Sequence, residues 1–493
     1  MSVVNVHTPE VPVREVRLNS ITGFFGSARE LVGCSHARKV REQTRSFTQG
    51  MMCSSTAAFC QLSMIIDAAV INHAPIGCAG DFPQFHVTYR IGQMERGLPP
   101  LLGHYYNSNI TESDTVFGAA EKLAQVIRQV YRRAQPKAIF VTTSCASGII
   151  GDDIEGTVKD AQAELGIPVI ACVCEGFRSK IWTSGFDSAY HSVVRGLVKP
   201  PRQKTKKINI INFWGSHIFE ELLEPLGYEV NYILPFSTVA QLQWVSESAA
   251  TIQICPTLGS YFGAALEQIY KVPEIKAPPA YGLAGTDRWL RELGDVLGVR
   301  DEVEKLIVRE HARIKPRLAL YRKKFEGKTA YLTAGAAHGH AIIALLRELG
   351  FYVKGAAIFH HDPLYDNEDP TSDALAQNIR LYGDITNYSV CNKQAYEIVN
   401  LLTRYRPDIL VARHGGMAHW GAKLGIPSFL VDDEQFGFGY QGILNYGERI
   451  EDTLNNREYL ANFAAKSVSP YTKWWLEQEP YCFLGGEARV EAY

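Results

Sequence analysis

Four cysteines carry the most specific chemical signal in the sequence. They occur in short contexts rich in glycine, serine and proline, namely GMMCSST at Cys53, HAPIGCAGDF at Cys78, TTSCASGIIGDD at Cys145 and TIQICPTLGS at Cys255. No CxxC pair occurs among these four, so any shared site forms only after the chain has folded. Thiolates that converge in this way from strand ends and turns are typical ligands of large iron–sulfur clusters.

Each of these cysteines also has a simpler interpretation, because free Cys is among the most buried residue types and often only fills a core. We make that prediction for Cys172 and Cys174, which lie inside the apolar strand IPVIACVC. Cys78 differs, since it follows Pro-Ile-Gly in a turn where backbone N–H groups approach a sulfur closely. Cys145 ends a strand and precedes the GDD of residues 151–153. Taken together, the four contexts favour metal ligation.

Length and composition indicate an ordinary globular protein. A chain of 493 residues predicts two to four domains. The net charge of -2 gives no electrostatic reason to expect nucleic acid or an anionic membrane as a partner. No apolar run approaches the roughly 20 residues needed to span a bilayer, and MSVVNVHTPEVPVREVR lacks the apolar core of a secretory signal. Ten cysteines in such a chain predict a reducing cytoplasmic location, where they are thiols or metal ligands.

Short β-rich runs alternate along the chain with amphipathic helical runs. KAIFVTTSC, KINIINFWGS and DILVARHGG are examples of the former, and QAYEIVNLLTRYR is one of the latter. This alternation predicts an α/β fold of doubly wound, parallel sheets. Ligands of such sheets collect at the carboxyl ends of strands. Cys145, Cys255, His338 and His414 are all predicted to lie at such ends.

Composition also predicts the domain boundaries. VKPPRQKTKK (198–207) is a linker rich in Pro and Lys, and HARIKPRLALYRKKFEGK (311–328) is a basic helix and turn. The predicted division is an N-terminal extension at 1–44, domain I at 45–205, domain II at 206–327, domain III at 328–456 and a C-terminal tail at 457–493.

The cysteine contexts and the segment SNITESDTVFGAAEKLAQVI resemble the alpha subunit of nitrogenase component one and its relatives over most of the chain. The resemblance implies three Rossmann-like domains. It also implies that Cys53, Cys78 and Cys145 bind a P-cluster-type centre, 8Fe-7S or 4Fe-4S, with Cys60 as a neighbour rather than a ligand. Three thiolates are too few for an ordinary four-cysteine cluster. A homologous beta-like subunit, in an alpha2beta2 heterotetramer, is therefore expected to supply the rest.

Cys255 matches the cysteine that holds one end of the family's active-site cofactor. The family's histidine at the molybdenum end corresponds to Asp432 here, and its homocitrate-binding lysine corresponds to Gly416. A buried tricarboxylate without that cation would be badly paired. The family's substrate-side histidine and glutamine correspond to Phe186 and Trp182. The resemblance thus implies an all-iron 8Fe-9S-C cluster in a more apolar pocket, without molybdenum or homocitrate.

The group that replaces the lost ligand is left open by the sequence. Asp432 is either an iron ligand or a solvated or helix-capping acid, and Gln441 lies further along. Six histidines lie between positions 338 and 419, and each has an ordinary interpretation as a satisfied core or surface residue: His338, His340, His360, His361, His414 and His419. His338 and His340, in AGAAHGHA, are predicted to ligate iron, to donate to a cluster sulfide or to supply protons near neutral pH. The acidic residues of HHDPLYDNEDP are expected to face solvent.

Two kinds of relative lack the molybdenum histidine and carry an all-iron cluster. One is methylthio-alkane reductase, which cleaves C–S bonds of small thioethers and releases methanethiol. The other is the alpha-like scaffold of nitrogenase cofactor assembly. We favour the reductase because an apolar lining suits a soft, weakly polar sulfur, with His338, His340, Phe186 and Asp432 as catalytic candidates. A true nitrogenase alpha subunit is the third alternative.

The electron donor is expected to be a separate protein. The resemblance implies an iron-protein reductase, a homodimer that hydrolyses ATP and docks near the interfacial cluster. Neither GxxxxGKS nor GxxxxGKT occurs in this chain, so ATP is expected to bind only to that partner.

Overall fold

The computed structural model describes residues 4–43, 52–80, 82–99, 103–391, 394–431 and 437–481. Side chains of residues 82–88 and of 415 lie outside this description. Within the described residues, none of the helices combines the length and apolar character required to cross a membrane.

Strands and helices alternate through the described chain, as the sequence predicts. The strands are β1 Phe24–Gly26, β2 Ala68–Asn72, β3 His104–Asn107, β4 Ala138–Thr142, β5 Val169–Cys172, β6 Lys207–Ile211, β7 Glu229–Ile233, β8 Ala250–Gln253, β9 Glu274–Ile275, β10 Thr329–Ala334, β11 Tyr352–Ile358, β12 Tyr388–Val390, β13 Ile409–Arg413 and β14 Ser428–Val431.

The α-helices are α1 Arg14–Arg17, α2 Ala28–His36, α3 Ser54–Leu62, α4 Phe82–Glu95, α5 Glu112–Phe117, α6 Ala120–Ala134, α7 Cys145–Ile150, α8 Ile154–Leu165, α9 Ser184–Gly196, α10 Glu220–Leu223, α11 Val239–Gln243, α12 Pro256–Tyr270, α13 Gly282–Leu297, α14 Arg300–Phe325, α15 Ala336–Glu348, α16 Pro363–Asp366, α17 Ala374–Tyr382, α18 Ala395–Tyr405, α19 Gly415–Lys423, α20 Gly439–Asn455, α21 Arg457–Lys466 and α22 Lys473–Glu477. Short 3₁₀ turns cover Ile76–Ala79, Gly176–Arg178, Glu224–Leu226 and Val245–Glu247.

The chain divides into two compact units. We call Ser2–Arg17 with Met52–Ile275 the cysteine unit, because it contains Cys53, Cys78, Cys145 and Cys255. It has two four-stranded sheets, of order β3-β2-β4-β5 and β7-β6-β8-β9. Every strand pair in both sheets is parallel.

The remaining residues, Leu18–Met51 and Lys276–Tyr493, form what we call the histidine unit. It has one sheet of order β1-β12-β11-β10-β13-β14. Strand β1 pairs antiparallel with β12, and the other pairs are parallel. The predicted N-terminal extension therefore contributes an edge strand to the sheet of the predicted third domain.

Burial explains why the central strands read as continuous apolar runs. All residues of β2, β4 and β5 are buried, which is the pattern of parallel strands covered on both faces. One layer of the first sheet's core is formed by residues of β2, β4 and β5 with α6 and α8. Helix α8 begins where the Asp153 carboxylate accepts from Gly156 N, and it ends at Gly166 with φ of 69°. Such capping fixes where the chain turns back to the sheet.

Candidate functional site

Three of the predicted ligands lie where adjacent strands of the first sheet end. Strand β2 leads into the turn that carries Cys78, and β4 ends three residues before Cys145. The neighbouring strand β5 leads to Gly176, at the start of a 3₁₀ turn. Cys53 is the residue that precedes α3 and caps it in extended backbone geometry. Parallel strands bring their carboxyl ends to one edge, which is why residues so distant in sequence meet here.

Buried hydroxyls tie these segments together. Ser54 Oγ donates to the carbonyl oxygens of Cys174 and Glu175 at 3.2 and 3.3 Å. Ser55 Oγ donates to the carbonyl of Thr143 at 2.7 Å. The start of α3, which carries Cys53, is thus fixed to the ends of β4 and β5.

A second connection joins the Cys78 turn to the Cys145 helix. Ser144 caps α7 and its Oγ donates to the carbonyl of His73 at 2.8 Å. The His73 ring is buried between Ser108 Oγ, 2.9 Å from Nδ1, and Asp152 Oδ2, 3.2 Å from Nε2. Burial lowers the pKa of His73, against the opposing effect of Asp152.

The sulfur atoms of Cys53 and Cys145 approach the same glycine. A Cβ built on Gly176 would lie 3.2 Å from Cys53 Sγ and 3.3 Å from Cys145 Sγ. Burial raises the pKa of the Cys78 thiol, and the charges of Cys53 and Cys145 raise it further, so all three sulfurs share one electrostatic environment. Cys78 and Cys145 are exposed, and Cys53 is half-buried.

These residues fit the cluster that the sequence predicts. Three thiols converge at one surface, and a glycine lies beside two of them where a side chain would intrude on the sulfurs. Thiolates are the donors that iron–sulfur clusters use. Within the described residues no three His, Cys, Asp or Glu side chains are grouped closely enough to hold one metal ion, so the three thiols face one region without forming a single-ion site.

Cys255 occupies a different position in the same unit. It follows β8, precedes α12 and is 5% exposed. Helix α12 begins at Pro256, so Cys255 lies at the amino end of a 15-residue helix, where the helix dipole favours an anion. The Tyr190 phenol lies within electrostatic range, since burial and then the charge of Cys255 raise its pKa well above the ordinary value.

Aromatic side chains extend from this cysteine along α9. The Tyr190 ring stacks on Phe262 with centroids 4.8 Å apart. Phe186, one turn earlier on the same face of α9, meets the Trp182 ring edge-on at 5.3 Å. Trp182 and Phe186 are buried. Trp182 Nε1 is buried too and has no hydrogen-bond partner among the described residues.

Helix α9 is fixed by a buried ion network that the sequence analysis missed. Arg14 Nη2 donates to Asp187 Oδ1 at 2.8 Å, and Arg17 Nη2 donates to Oδ2 at 2.7 Å. Arg17 Nη2 also donates to Ser260 Oγ of α12 at 3.1 Å. Both side chains of each pair are buried. The two arginines of PVREVR could have suggested an ion pair. Their acidic partner could not be identified from the sequence, because it lies about 170 residues further along the chain.

The structure bears on one of the roles predicted for His338 and His340, the supply of protons near neutral pH, while iron ligation and donation to a cluster sulfide stay predictions. Both rings are buried in the histidine unit. His338 Nδ1 is 3.1 Å from Tyr281 Oη, and His340 Nε2 is 2.6 Å from Tyr388 Oη. Burial lowers the pKa of His340 to about 4 and that of His338 well below its ordinary value. Both rings are therefore neutral at pH 7, and supply of protons from imidazolium near neutral pH is not supported.

The expectation for HHDPLYDNEDP is also wrong at two of its acids. Asp362 and Asp366 are buried. His360 Nδ1 lies 3.2 Å from Asp362 Oδ1, and His361 Nδ1 lies 3.1 Å from Asp366 Oδ2. The sequence pattern of a polar loop did not indicate this, because the two acids lie beside histidines of the same buried segment rather than at the surface.

The structure also places most of the remaining residues that the sequence analysis singled out. Asp432 lies outside the described residues. Gln441 lies in α20, where its Oε1 accepts from Arg313 Nη1 at 2.8 Å. Gly416 is exposed, with open space where a Cβ would lie. Cys172 and Cys174 are buried, in agreement with their predicted core positions, and Cys60, which was predicted to be a neighbour of the cluster rather than a ligand, is buried too.

Comparisons with known proteins agree with this architecture. A family model described as nitrogenase component 1 type oxidoreductase matches residues 53–455. The nitrogenase iron-molybdenum cofactor biosynthesis protein NifE of Methanococcus maripaludis is 28% identical over 83% of this chain and 85% of its own length. The nitrogenase molybdenum-iron protein alpha chain of the same species is 27% identical over 83% of this chain and 88% of its own.

A solved structure resembles the whole fold. The structure titled "Nitrogenase Cp1 at pH 5" superposes with a TM-score of 0.69 and 23% sequence identity, covering 88% of this chain and 94% of that one. At this identity the likeness establishes the fold alone. The prediction of an α/β fold with parallel-sheet domains is confirmed.

Proposed function

Because this chain belongs to the nitrogenase component 1 type oxidoreductase family, we propose that it is the alpha-like subunit of a reductase that cleaves C–S bonds of small methylthio-alkanes. In the proposed reaction the C–S bond of R–S–CH3 breaks, two electrons and two protons enter, and R–H and CH3SH leave. One observation carries this proposal: Trp182, Phe186 and Tyr190 form a row of aromatic side chains, and the Tyr190 end of that row lies near Cys255.

We propose that the four cysteines bind two separate cofactors. Cys53, Cys78 and Cys145 would hold an interfacial P-cluster-type centre, 8Fe-7S or 4Fe-4S, and Cys255 would hold an all-iron 8Fe-9S-C cluster. When bound, such clusters supply one-electron transfer and a site of substrate reduction. The exposure of Cys78 and Cys145 supports a shared site at a surface, whereas burial of Cys255 supports a cofactor that water does not reach.

The residues around Cys255 have roles that follow from their chemistry. Phe186 and the Trp182 ring exclude water and offer an apolar surface to a thioether, whose sulfur is soft and favours aromatic edges. Trp182 Nε1–H, which donates to no described residue, is available to a weak acceptor such as thioether sulfur. Tyr190 retains its proton at Oη, because burial and Cys255 raise its pKa, and Gln61 Nε2 donates to that oxygen at 3.4 Å.

The proposed partners are a beta-like subunit, in an alpha2beta2 heterotetramer, and an ATP-hydrolysing iron–sulfur reductase that supplies the electrons. Large apolar side chains are exposed next to the cysteine segments, namely Ile76 at 65%, Phe117 at 85%, Ile149 at 78% and Phe177 at 60%. Exposed apolar groups concentrated around one site are typical of a protein interface. They support a partner that covers the three thiols.

Cofactor assembly is the second candidate, because one of the similar proteins is named a cofactor biosynthesis protein. A scaffold would hold its cluster at Cys255 only transiently and would show little turnover. A true nitrogenase is the third candidate. It is disfavoured by Gly416, which offers no cation where the family's homocitrate-binding lysine is expected.

The decisive experiment is an anaerobic assay of the chain purified with its beta-like partner, with the iron-protein reductase and ATP added. We expect ATP-dependent methanethiol together with ethane from ethyl methyl sulfide and methane from dimethyl sulfide. From 2-methylthioethanol the same two electrons and two protons give methanethiol, ethylene and water, because the C–O bond of the neighbouring hydroxyl breaks together with the C–S bond. Cys255→Ala should abolish the activity, and Cys391→Ala, which alters a buried cysteine of the histidine unit, should retain it.

The other outcomes separate the alternatives. An iron-replete complex that releases no hydrocarbon, but activates an apo-nitrogenase by cluster transfer, would establish the assembly scaffold. Bound molybdenum or vanadium together with ammonia formation would establish a nitrogenase. Either result overturns C–S cleavage as the function.

A further inference from the structure

The histidine unit contains a pocket that the proposed reaction does not use. It lies between α13, α15 and α17 and has a volume of about 40 Å³, room for about three water molecules. Its outer wall includes the exposed side chains of Leu381 and Tyr382. Its polar lining consists of Arg288, Gln377, Asn378, His340 and the two tyrosines Tyr281 and Tyr382.

Arg288 is the cation of this pocket. Its Nε atom is buried and has no hydrogen-bond partner among the described residues. Burial lowers the pKa of Arg288 to about 10, so the guanidinium remains charged at pH 7. The residue as a whole is half-buried, so its guanidinium can be reached from the pocket, and a bound anion would give the buried Nε the hydrogen bond that it lacks among the described residues.

The charged groups that act on Arg288 are Glu292, Asp373 and Arg380. Glu292 accepts from the backbone N–H groups of Lys276 and Ala277 at 2.8 and 2.6 Å. This carboxylate is therefore committed to a turn of the backbone rather than to the guanidinium.

Asp373 is also committed elsewhere. Its Oδ2 lies 2.9 Å from His36 Nε2, and its Oδ1 accepts from Ala376 N at 2.8 Å as the cap of α17. Arg380 adds a second positive charge. Neither carboxylate forms an ion pair with Arg288 among the described residues, so the guanidinium is available to an external anion.

Asn378 supplies a complementary group. The residue is 3% exposed, and its Nδ2 donates to the carbonyl of His340 at 2.7 Å. That bond fixes the orientation of the amide and leaves Oδ1 as an acceptor. Oδ1 is buried and accepts from no described residue. A ligand that satisfies the pocket must therefore bring a hydrogen-bond donor as well as a negative charge.

We propose that this pocket binds a small carboxylate with a neighbouring hydroxyl group, the carboxylate on Arg288 and the hydroxyl on Asn378 Oδ1. Charge-assisted hydrogen bonds of an arginine with a carboxylate are among the stronger polar contacts in proteins. The small volume encloses about three heavy atoms, so even the smallest such ligand, glycolate, extends towards the open side beside Leu381 and Tyr382. The proposal is independent of the reaction at Cys255, since it rests only on residues of α13, α15 and α17.

The test uses glycolate and acetate as probes on the purified complex, with binding followed by calorimetry and by thermal unfolding. We expect glycolate to bind with a dissociation constant in about the millimolar range and to bind more tightly than acetate, which lacks the hydroxyl donor. Arg288→Met should weaken glycolate binding roughly tenfold or more. Because Arg288 Nε makes no bond to a described residue, this variant should unfold at the same temperature as the parent without ligand.

Two further variants make the result specific. Arg309→Met removes an exposed arginine of α14 in the same unit and should leave glycolate binding unchanged. Asn378→Ala should abolish the preference for glycolate over acetate, a ratio that a general loss of stability would not alter. The proposal is overturned by the absence of glycolate binding, by equal binding to the Arg288→Met variant, or by equal affinity for both probes in the parent.

Discussion

Cys53 and Cys145 direct their sulfur atoms at the same residue, since a β-carbon on Gly176 would lie 3.2 and 3.3 Å from them. The two cysteines are separated by 92 positions in the sequence. They meet because α3 is bonded through Ser54 and Ser55 to the ends of β5 and β4. Gly176 begins the 3₁₀ turn that follows β5, and its lack of a side chain leaves room beside both sulfurs.

Gly176→Ala should therefore disturb the proposed interfacial cluster. The added methyl would lie 3.1 Å from Cys53 Cβ and almost as close to both sulfurs. These distances are shorter than normal contacts between packed side chains. We expect the iron content of the assembled complex to fall roughly twofold or more, with a changed electron paramagnetic resonance spectrum. Gly33→Ala is the matched control, because a Cβ there meets nothing within 4 Å. Parental iron content in the Gly176 variant would contradict the proposed site.

Cys78 and Cys60 should respond differently to replacement by alanine. Cys78 is exposed beside the other two thiols, whereas Cys60 is 1% exposed within α3. Cys78→Ala should lower iron bound at the interface while the parental unfolding temperature is retained. Cys60→Ala should retain the iron and lower the free energy of unfolding by about 1 kcal/mol. Iron analysis combined with thermal unfolding distinguishes the two, and equal iron loss in both variants would refute the assignment.

Asp187→Asn should strongly destabilise the cysteine unit. The Asp187 carboxylate is the shared partner of Arg14 and Arg17, and the variant leaves two buried guanidinium groups facing a neutral amide. The loss in free energy of unfolding should be about 3–5 kcal/mol, measured by urea denaturation. Asp160→Asn, on the exposed face of α8, should change it by less than about 0.5 kcal/mol. A similar small change for both variants would show that the network contributes little.

Acid should destabilise the histidine unit through His340. Its pKa is about 4 in the folded chain against an ordinary 6.5, because burial disfavours the imidazolium. Above pH 6.5 neither state holds the proton; as pH falls from 6.5 towards 4, only the unfolded chain binds it. Stability should therefore decrease over this window, by up to about 3 kcal/mol from this residue.

The measurement is urea denaturation between pH 7.5 and pH 4.5 for the parent and the His340→Gln variant. The variant should show a shallower decrease of unfolding free energy with falling pH. His419→Gln, at an exposed position of the same unit, should keep the parental slope. An unchanged slope in the His340 variant would contradict the assigned protonation state.

The sequence patterns were sufficient for the fold class. Apolar β-rich runs that end in Gly, Ser or Pro became parallel strands, because residues covered on both faces of a sheet must be apolar. The same reasoning placed Cys145 and Cys255 after strand ends and Cys78 in a turn, where the structure has them. Antiparallel β1 could not be predicted, since a three-residue edge strand has no periodicity of its own and depends on β12 for its hydrogen bonds.

The protonation states of the histidines, by contrast, could not be predicted from the sequence. Their place after a predicted strand suggested proton supply by His338 and His340, but protonation depends on solvent exposure and on neighbouring groups. Only the folded structure buries His340 against Tyr388 and pairs His361 with Asp366. The sequence did not indicate either that Arg288 Nε has no hydrogen-bond partner among the described residues, because the acids near it accept from backbone N–H groups instead.

The sequence by itself determined which segments become strands and helices and which cysteines follow strand ends, because these properties depend on local apolar patterning and turn residues. The tertiary structure alone decided that the Cys53 and Cys145 sulfurs share Gly176, that Asp187 joins two arginines and that His338 and His340 are neutral. Distances between side chains and exclusion of water depend on contacts between segments far apart in the chain, and no local pattern contains them.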